Sequence, residues 1–393
     1  MTAPAYCRFP HVAGDLVAFV AADDVWLAPV GGGRAWRFTA DQRPCSTPRF
    51  SADGTRLAWT TTKDGGLEVY EASVADGVGS RLTYWAALGG RVCGWTPAGE
   101  VLASSTAGLP FPQYPRGRAI GTDQSGEPGA ERLLRFGPVT DLSVGTASDG
   151  TSTVALLTGT FGLDPAHWKR YRGGTGGRLW LGPADEVLNR VDAGRSDNAA
   201  AEPVRAEAPT AGRFRRLLAG HPGQLGSPML VAGRLAFSSD HEGVGNIYSC
   251  APDGTDLRRH TDHDRWYARQ ASTDGQRIVY ACGGDLWLLS ALGGAAERLD
   301  VVLGSPAAGR APRLISADDH VGSLSVDTAG TASVVEVRGT VHWLPHRDGP
   351  ARALAVLAGV RARYPQVLGD DGRAVWASDA GGTDALDVGG GDP

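Results

Sequence analysis

The chain has 393 residues, 42% of them hydrophobic and 7% aromatic, with eleven Trp. That is apolar enough for a packed core and excludes wholesale disorder. The 38 Lys and Arg against 43 Asp and Glu leave a net charge of −5, so no basic excess points to nucleic acid or an anionic membrane surface.

No apolar run reaches the roughly eighteen residues a membrane span needs. The opening ten residues lack a basic segment followed by an apolar one, which argues against a secretory signal. Five Cys (Cys7, Cys45, Cys93, Cys250, Cys282) are odd in number and far apart, with no CxxC pair. Neither a zinc knuckle nor a disulfide framework is indicated, and the expectation is a reduced, cytoplasmic protein without cofactor or metal.

Fifty-six Gly and 24 Pro favour turns over helices. From the N-terminus onward the chain repeats itself. Val12-Ala13-Gly14-Asp15-Leu16-Val17-Ala18-Phe19 is followed by Ser51-Ala52-Asp53-Gly54-Thr55-Arg56-Leu57-Ala58-Trp59 and Thr96-Pro97-Ala98-Gly99-Glu100-Val101-Leu102-Ala103. Ser148-Asp149-Gly150 opens a fourth copy, Val231-Ala232-Gly233 a fifth and Ser272-Thr273-Asp274-Gly275 a sixth, with later copies at Gly330 and Gly372. The intervals between these glycines run from 40 to 55 residues, except one of 83 between Gly150 and Gly233. Blades of four-stranded propellers have about that period, roughly 40–50 residues.

Inside each repeat an apolar-aromatic run meets a second glycine turn and a short strand ending Arg-Leu-Thr or similar. Val25-Trp26-Leu27 leads to Arg37-Phe38-Thr39, Glu68-Val69-Tyr70 to Arg81-Leu82-Thr83, and Asn246-Ile247-Tyr248 to Arg259-His260-Thr261. Asp-Gly and Gly-Gly turns supply the positive φ of tight hairpins. The run 277–282 is apolar on both faces, as a central strand needs when sheets cover both its sides.

The predicted fold class is all-β: a six-bladed β-propeller of four-stranded antiparallel blades over 1–300, followed by an incomplete second propeller. Residues 182–212, rich in Ala, Pro and acids, are expected to be a loop insertion that accounts for the long interval. Residues 301–323 read as a linker, and 324–393 as the first one and a half blades of the second ring. Trp59, Tyr280 and Trp287 sit mid-strand and are expected to be largely buried between blades.

No Gly-x-Ser-x-Gly elbow is present and the nine His are scattered over turns, so no catalytic centre is expected. His241-Glu242 and His260-Thr261-Asp262-His263-Asp264 have ligand-like types. In an inter-blade connection, however, Asp and His also serve as turn and strand-end hydrogen bonders, and that reading is favoured over metal. His167-Trp168-Lys169-Arg170-Tyr171-Arg172 is the densest cationic stretch. On a channel rim Lys169, Arg170 and Arg172 would draw peptide C-terminal carboxylates by charge-assisted pairing. The alternative is an outer strand of solvated Arg and packed aromatics. The glycines of 173–177 precede no Gly-Lys-Ser/Thr and read as hairpin turns rather than a phosphate loop.

The repeat resembles the PD40-type blades of TolB, of prolyl-oligopeptidase relatives and of tricorn protease. Arg8-Phe9-Pro10-His11-Val12, Arg81-Leu82-Thr83-Tyr84-Trp85, the 167–174 stretch, Ser239-Asp240-His241-Glu242-Gly243, His260-Thr261-Asp262-His263-Asp264 and Glu336-Val337-Arg338-Gly339, in this order, resemble the N-terminal region of the bacterial tricorn protease family. That resemblance implies cytoplasmic serine peptidases that assemble as hexamers and trim oligopeptides released by larger proteases. It places the catalytic serine and histidine in a region with no counterpart here, so no catalytic residue carries over. The implied role of this portion is to gate peptide passage and support assembly. The rival reading is a TolB-like protein-binding propeller with no peptidase role.

Overall fold

The computed structural model describes residues 6–111, 113–122, 128–134, 136–160, 167, 169–188, 214–304, 314–369 and 372–390. It divides into two compact units, Met1–Arg310 and Ala311–Pro393.

The first unit is built of antiparallel sheets whose strands follow chain order. The first holds β1 (Arg8–Ala13), β2 (Leu16–Ala21), β3 (Asp24–Pro29) and β4 (Gly33–Arg37), the second β5 (Cys45–Phe50), β6 (Arg56–Thr61), β7 (Glu68–Ser73) and β8 (Gly79–Arg81). The third holds β9 (Gly90–Trp95), β10 (Val101–Ser105), β11 (Arg116–Thr122) and β12 (Pro128–Leu133). The fourth has β13 (Asp141–Thr146), β14 (Ser152–Thr158), β15 (Arg178–Pro183) and β16 (Arg215–Leu217), with the short helix α1 (Asp185–Leu188) after β15. The fifth has β17 (Leu225–Val231), β18 (Arg234–Ser239), β19 (Asn246–Cys250) and β20 (Arg258–Arg259). The sixth has β21 (Arg269–Thr273), β22 (Ile278–Cys282), β23 (Asp285–Leu289) and β24 (Ala296–Leu299).

The arrangement is propeller-like. First strands pack on one another in sequence, β1 on β5, then β9, β13, β17 and β21, and β21 packs back on β1. The seam is hydrogen-bonded: Phe9 N donates to Gln270 Oε1 at 2.9 Å, and Ser272 Oγ to the Pro10 carbonyl at 2.7 Å.

Each repeat glycine turns the chain between the first and second strands of a sheet, as Gly54 (φ 71°) and Gly275 (φ 94°) do. First strands carry bulges at Phe9, Thr47, Ser227 and Gln270, all at positive φ with the register slipping just after. Pro10, Pro48 and Pro228 follow three of these, and a bulge is where a strand tolerates the missing N–H. Second strands are buried almost throughout, β18 and β22 among them, because sheets cover both faces. Trp26, Trp59, Tyr248 and Tyr280 are fully buried.

Three expectations need correction. Trp287 is only half-buried: it lies on a third strand, further from the ring's centre, and it lines a cleft between the outer strands of the fifth and sixth sheets. Residues 182–188 are not loop: 182–183 complete β15 and 185–188 form α1, while 189–212 lie outside the described residues. Residues 301–303, expected within the linker, form β25 (Val301–Leu303), which pairs parallel with β4 and stitches the end of the ring to its first sheet.

The stitch depends on the Gly31-Gly32-Gly33 turn. Gly33 N donates to the Asp300 carbonyl at 2.7 Å, and a Cβ on Gly32 (φ 85°) would sit 2.9 Å from that oxygen. Gly32→Ala is expected to cost about 1–3 kcal/mol through left-handed strain and this contact. A urea midpoint equal to that of the parent would contradict the assignment.

The second unit repeats the plan with β26 (Val321–Val326), β27 (Ala332–Val337), β28 (Thr340–Pro345) and β29 (Arg352–Ala355), then β30 (Ala362–Leu368), β31 (Arg373–Ser378) and β32 (Ala385–Gly390). Its two sheets share a core containing Val334, Trp343 and Trp376.

Candidate functional site

Four connections meet at one end of the fourth, fifth and sixth sheets: β14 to β15, β16 to β17, β18 to β19, and β20 to β21. Asp240, at the end of β18, organises them. Its side chain is fully buried and accepts from Gln224 N at 2.9 Å, Arg170 N at 2.5 Å, Tyr267 Oη at 3.3 Å and Arg172 Nη1 at 3.4 Å. Burial, then the Asp240 carboxylate, pushes the Tyr267 hydroxyl up to about 12. Lys169 Nζ lies 5.7 Å from the Tyr267 ring centroid.

The structure therefore brings Lys169, Arg170 and Arg172 together. All three are exposed, on a loop rather than the outer strand weighed from the sequence, and the loop is tied to the neighbouring sheet through Asp240. Trp168 lies outside the described residues. Gly176 N bonds the Gly173 carbonyl, so the glycines after the loop make a turn.

Beneath the loop, His221 Nε2 lies 2.8 Å from Ser239 Oγ, and His241 Nδ1 lies 3.3 Å from the same oxygen. The imidazoles stand 4.4 Å apart. Burial, then the neighbouring His241, pulls the His221 pKa down to about 4. A serine–histidine contact is the first element of a nucleophile. Here Ser239 is 2% exposed, and among the described residues no carboxylate bonds His221. The pair cross-links connections and offers no nucleophile to solvent.

His260 Nε2 pairs with Ser249 Oγ at 2.8 Å, while His263 takes Asn246 Oδ1 through its backbone N–H and Tyr280 Oη through Nε2. Arg259, Asp262, His263 and Trp287 line a cleft of about 570 Å³.

Sequence reasoning missed a repeated latch. Thr39, Thr83 and Thr261 each accept from the backbone N–H of Val25, Val69 and Ile247 at 2.9 Å. Each donates in turn to a buried side chain fifteen residues earlier: Asp24, Glu68 and Asn246. That fixed spacing, an acid or amide opening the third strand and a threonine just after the fourth, was the available signal.

The family model for the tricorn protease N-terminal β-propeller domain matches residues 4–295. The chain belongs to this family. It is 46% identical over 388 residues to tricorn protease homolog 1 of Streptomyces coelicolor, covering 98% of this chain and 33% of the relative. To the tricorn protease homolog of Saccharolobus solfataricus it is 30% identical over 368 residues, covering 93% and 31%. The chain spans about a third of the length of these relatives. The crystal structure of tricorn protease matches with a TM-score of 0.68 at 23% identity, over 98% of this chain and 35% of that one, a likeness of fold. Among the described residues no helix is long and apolar enough to cross a membrane.

Proposed function

We propose that this chain is the N-terminal, six-bladed propeller of a tricorn-like serine peptidase, with the opening of a second propeller at 324–393 beyond a linker that ends near 323. It gates the passage of oligopeptides and supports assembly, as a hexamer in the intact family protein, and does not itself cut bonds. The observation that carries this reading is the family match over 4–295 coinciding with first strands that pack in a closed cycle. Four buried thiols and the half-buried Cys93, all uncrosslinked, fit a reducing, cytoplasmic setting.

Lys169, Arg170 and Arg172 face solvent on a loop held in place by a buried carboxylate, which suits a fixed cationic rim for peptide carboxylates. Changing all three to alanine is expected to weaken binding of a fluorescein-labelled tetrapeptide with a free C-terminus about tenfold, measured by anisotropy. An unchanged dissociation constant would remove the loop from the peptide path.

A further inference from the structure

At the close of each fourth strand one residue sits where it can plug the gap to the next sheet. The register fixes that position: it follows the residue paired with Trp26, Tyr70, Arg118, Trp180, Tyr248 or Trp287 of the third strand. In five sheets the residue is Phe38, Leu82, Leu134, Leu217 or Leu299, and each packs in a core cluster that includes strands of the next sheet. In the fifth sheet it is His260. Its Nε2 lies 2.8 Å from Ser249 Oγ on β19, so the imidazole is anchored to its own sheet and borders the cleft beside Trp287.

The second, fifth and sixth sheets each hold a stacked aromatic pair across their second and third strands. Centroids lie 6.1 Å apart in Trp59–Tyr70, 6.3 Å in Phe237–Tyr248 and 6.5 Å in Tyr280–Trp287. Of these three pairs, those of the second and sixth sheets contain an indole. In the second sheet the pair is buried, and Phe38 meets Trp59 edge-on at 5.8 Å and 83°. In the sixth, His263 meets Trp287 edge-on at 4.9 Å, but its Nε2 is tied to Tyr280 Oη at 2.9 Å. Trp287 stays half-buried, facing a cleft of about 570 Å³ whose other side chains include the small Ala295 and Ala296. Small-ligand pockets run from roughly 300 to 1,000 Å³. Arg259, the lining cation, is already paired with Glu242 at 2.9 Å and Asp262 at 2.6 Å, so the cleft does not select an anion.

We propose that the cleft between the fifth and sixth sheets binds one uncharged aromatic ring, a phenyl or a phenol, against Trp287. The molecule supplies its own template, because Phe38 fills the equivalent gap in front of the other indole-containing pair. The quadrupoles of two rings favour this edge-to-face approach over an aliphatic group of similar size. The ring has two sources, a free aromatic compound or an aromatic side chain on a polypeptide. The proposal does not depend on the peptide-passage reading.

Fluorine NMR of the full chain labelled with 5-fluorotryptophan tests the site. The resonance missing from Trp287→Phe identifies Trp287. Titration with N-acetylphenylalanine amide is expected to shift that resonance saturably and to leave the other ten tryptophans unmoved. Ala295→Phe puts a ring into the cleft from an exposed turn, and should weaken the titration at least tenfold with an unchanged circular dichroism spectrum. His260→Phe, which restores the plug, should do the same and raise the melting temperature. p-Cresol binding as tightly as the amide upholds the site with a free aromatic compound as its occupant. Binding at least tenfold weaker than the amide upholds it with an aromatic side chain of a polypeptide. No shift at Trp287, equal affinity in parent and Ala295→Phe, or N-acetylleucine amide binding as well as the phenylalanine amide overturns the proposal.

Discussion

Trp26→Ala is expected to lower the unfolding free energy by about 3–5 kcal/mol, the lost transfer energy of a large side chain plus the cavity it leaves. Trp26 is 1% exposed, donates from Nε1 to the Ala21 carbonyl at 2.8 Å, and lies under the Arg37 guanidinium, 5.1 Å from its ring. It belongs to a core cluster with Val12 and Phe19 of the first sheet and Val279, Leu286 and Leu288 of the sixth, so the cavity opens at the seam of the ring. Trp287→Ala should cost less, about 1–2 kcal/mol, because its ring is already partly exposed. Urea midpoints for the two variants decide the order. A Trp26→Ala midpoint equal to the parent's, or a larger loss at Trp287, would contradict this packing.

Acid should destabilise the protein before its carboxylates titrate. Burial lowers the pKa of His11 well below 6.5, and also lowers those of His221, His241, His260 and His263. The unfolded chain binds protons on these residues as pH falls through about 6.5, while the folded chain does not. The stability is therefore complete above about pH 6.5 and drains away as pH drops toward the folded-state values. His11, buried and accepting from Phe50 N, contributes up to about 1.4 kcal/mol per pH unit, or about 2 kcal/mol between pH 6.5 and 5. The other four are more exposed and add less, screened by solvent. Denaturation midpoints from pH 8 to pH 5 should be flat down to about 6.5 and then decline, with a shallower decline in His11→Gln. A flat profile to pH 5, or the same slope in the variant, would contradict the buried neutral His11.

Much of the architecture was legible because the chemistry that dictates it is local. Positive φ in a tight hairpin leaves little choice but glycine, so Gly54, Gly275 and their counterparts marked the repeats. Strands covered on both faces, such as β22, must be apolar throughout. What the sequence hid depends on partners far away along the chain. Val301-Val302-Leu303 has no feature that distinguishes a parallel strand from a linker; its partner is β4, at the other end of the ring. Asp240 looks like an ordinary turn acid, and its role appears only when residues 170, 172, 224 and 267 converge on it. Lys169, Arg170 and Arg172 were visible as a cluster, but whether they lay on a strand or a loop was not, since alternating Arg and aromatics fits both.

Incubating the purified chain with a fluorogenic tetrapeptide, while following anisotropy and release of the fluorophore together, tests the central claim most directly. Peptide cleavage by a serine mechanism needs an accessible nucleophile, a base within reach and an oxyanion hole, and Ser239 with His221 is closed to solvent. The expected result is saturable binding with release no faster than the buffer control. Turnover that a serine-directed inhibitor blocks, or peptide that does not bind at all, would contradict a propeller that admits peptides without cutting them.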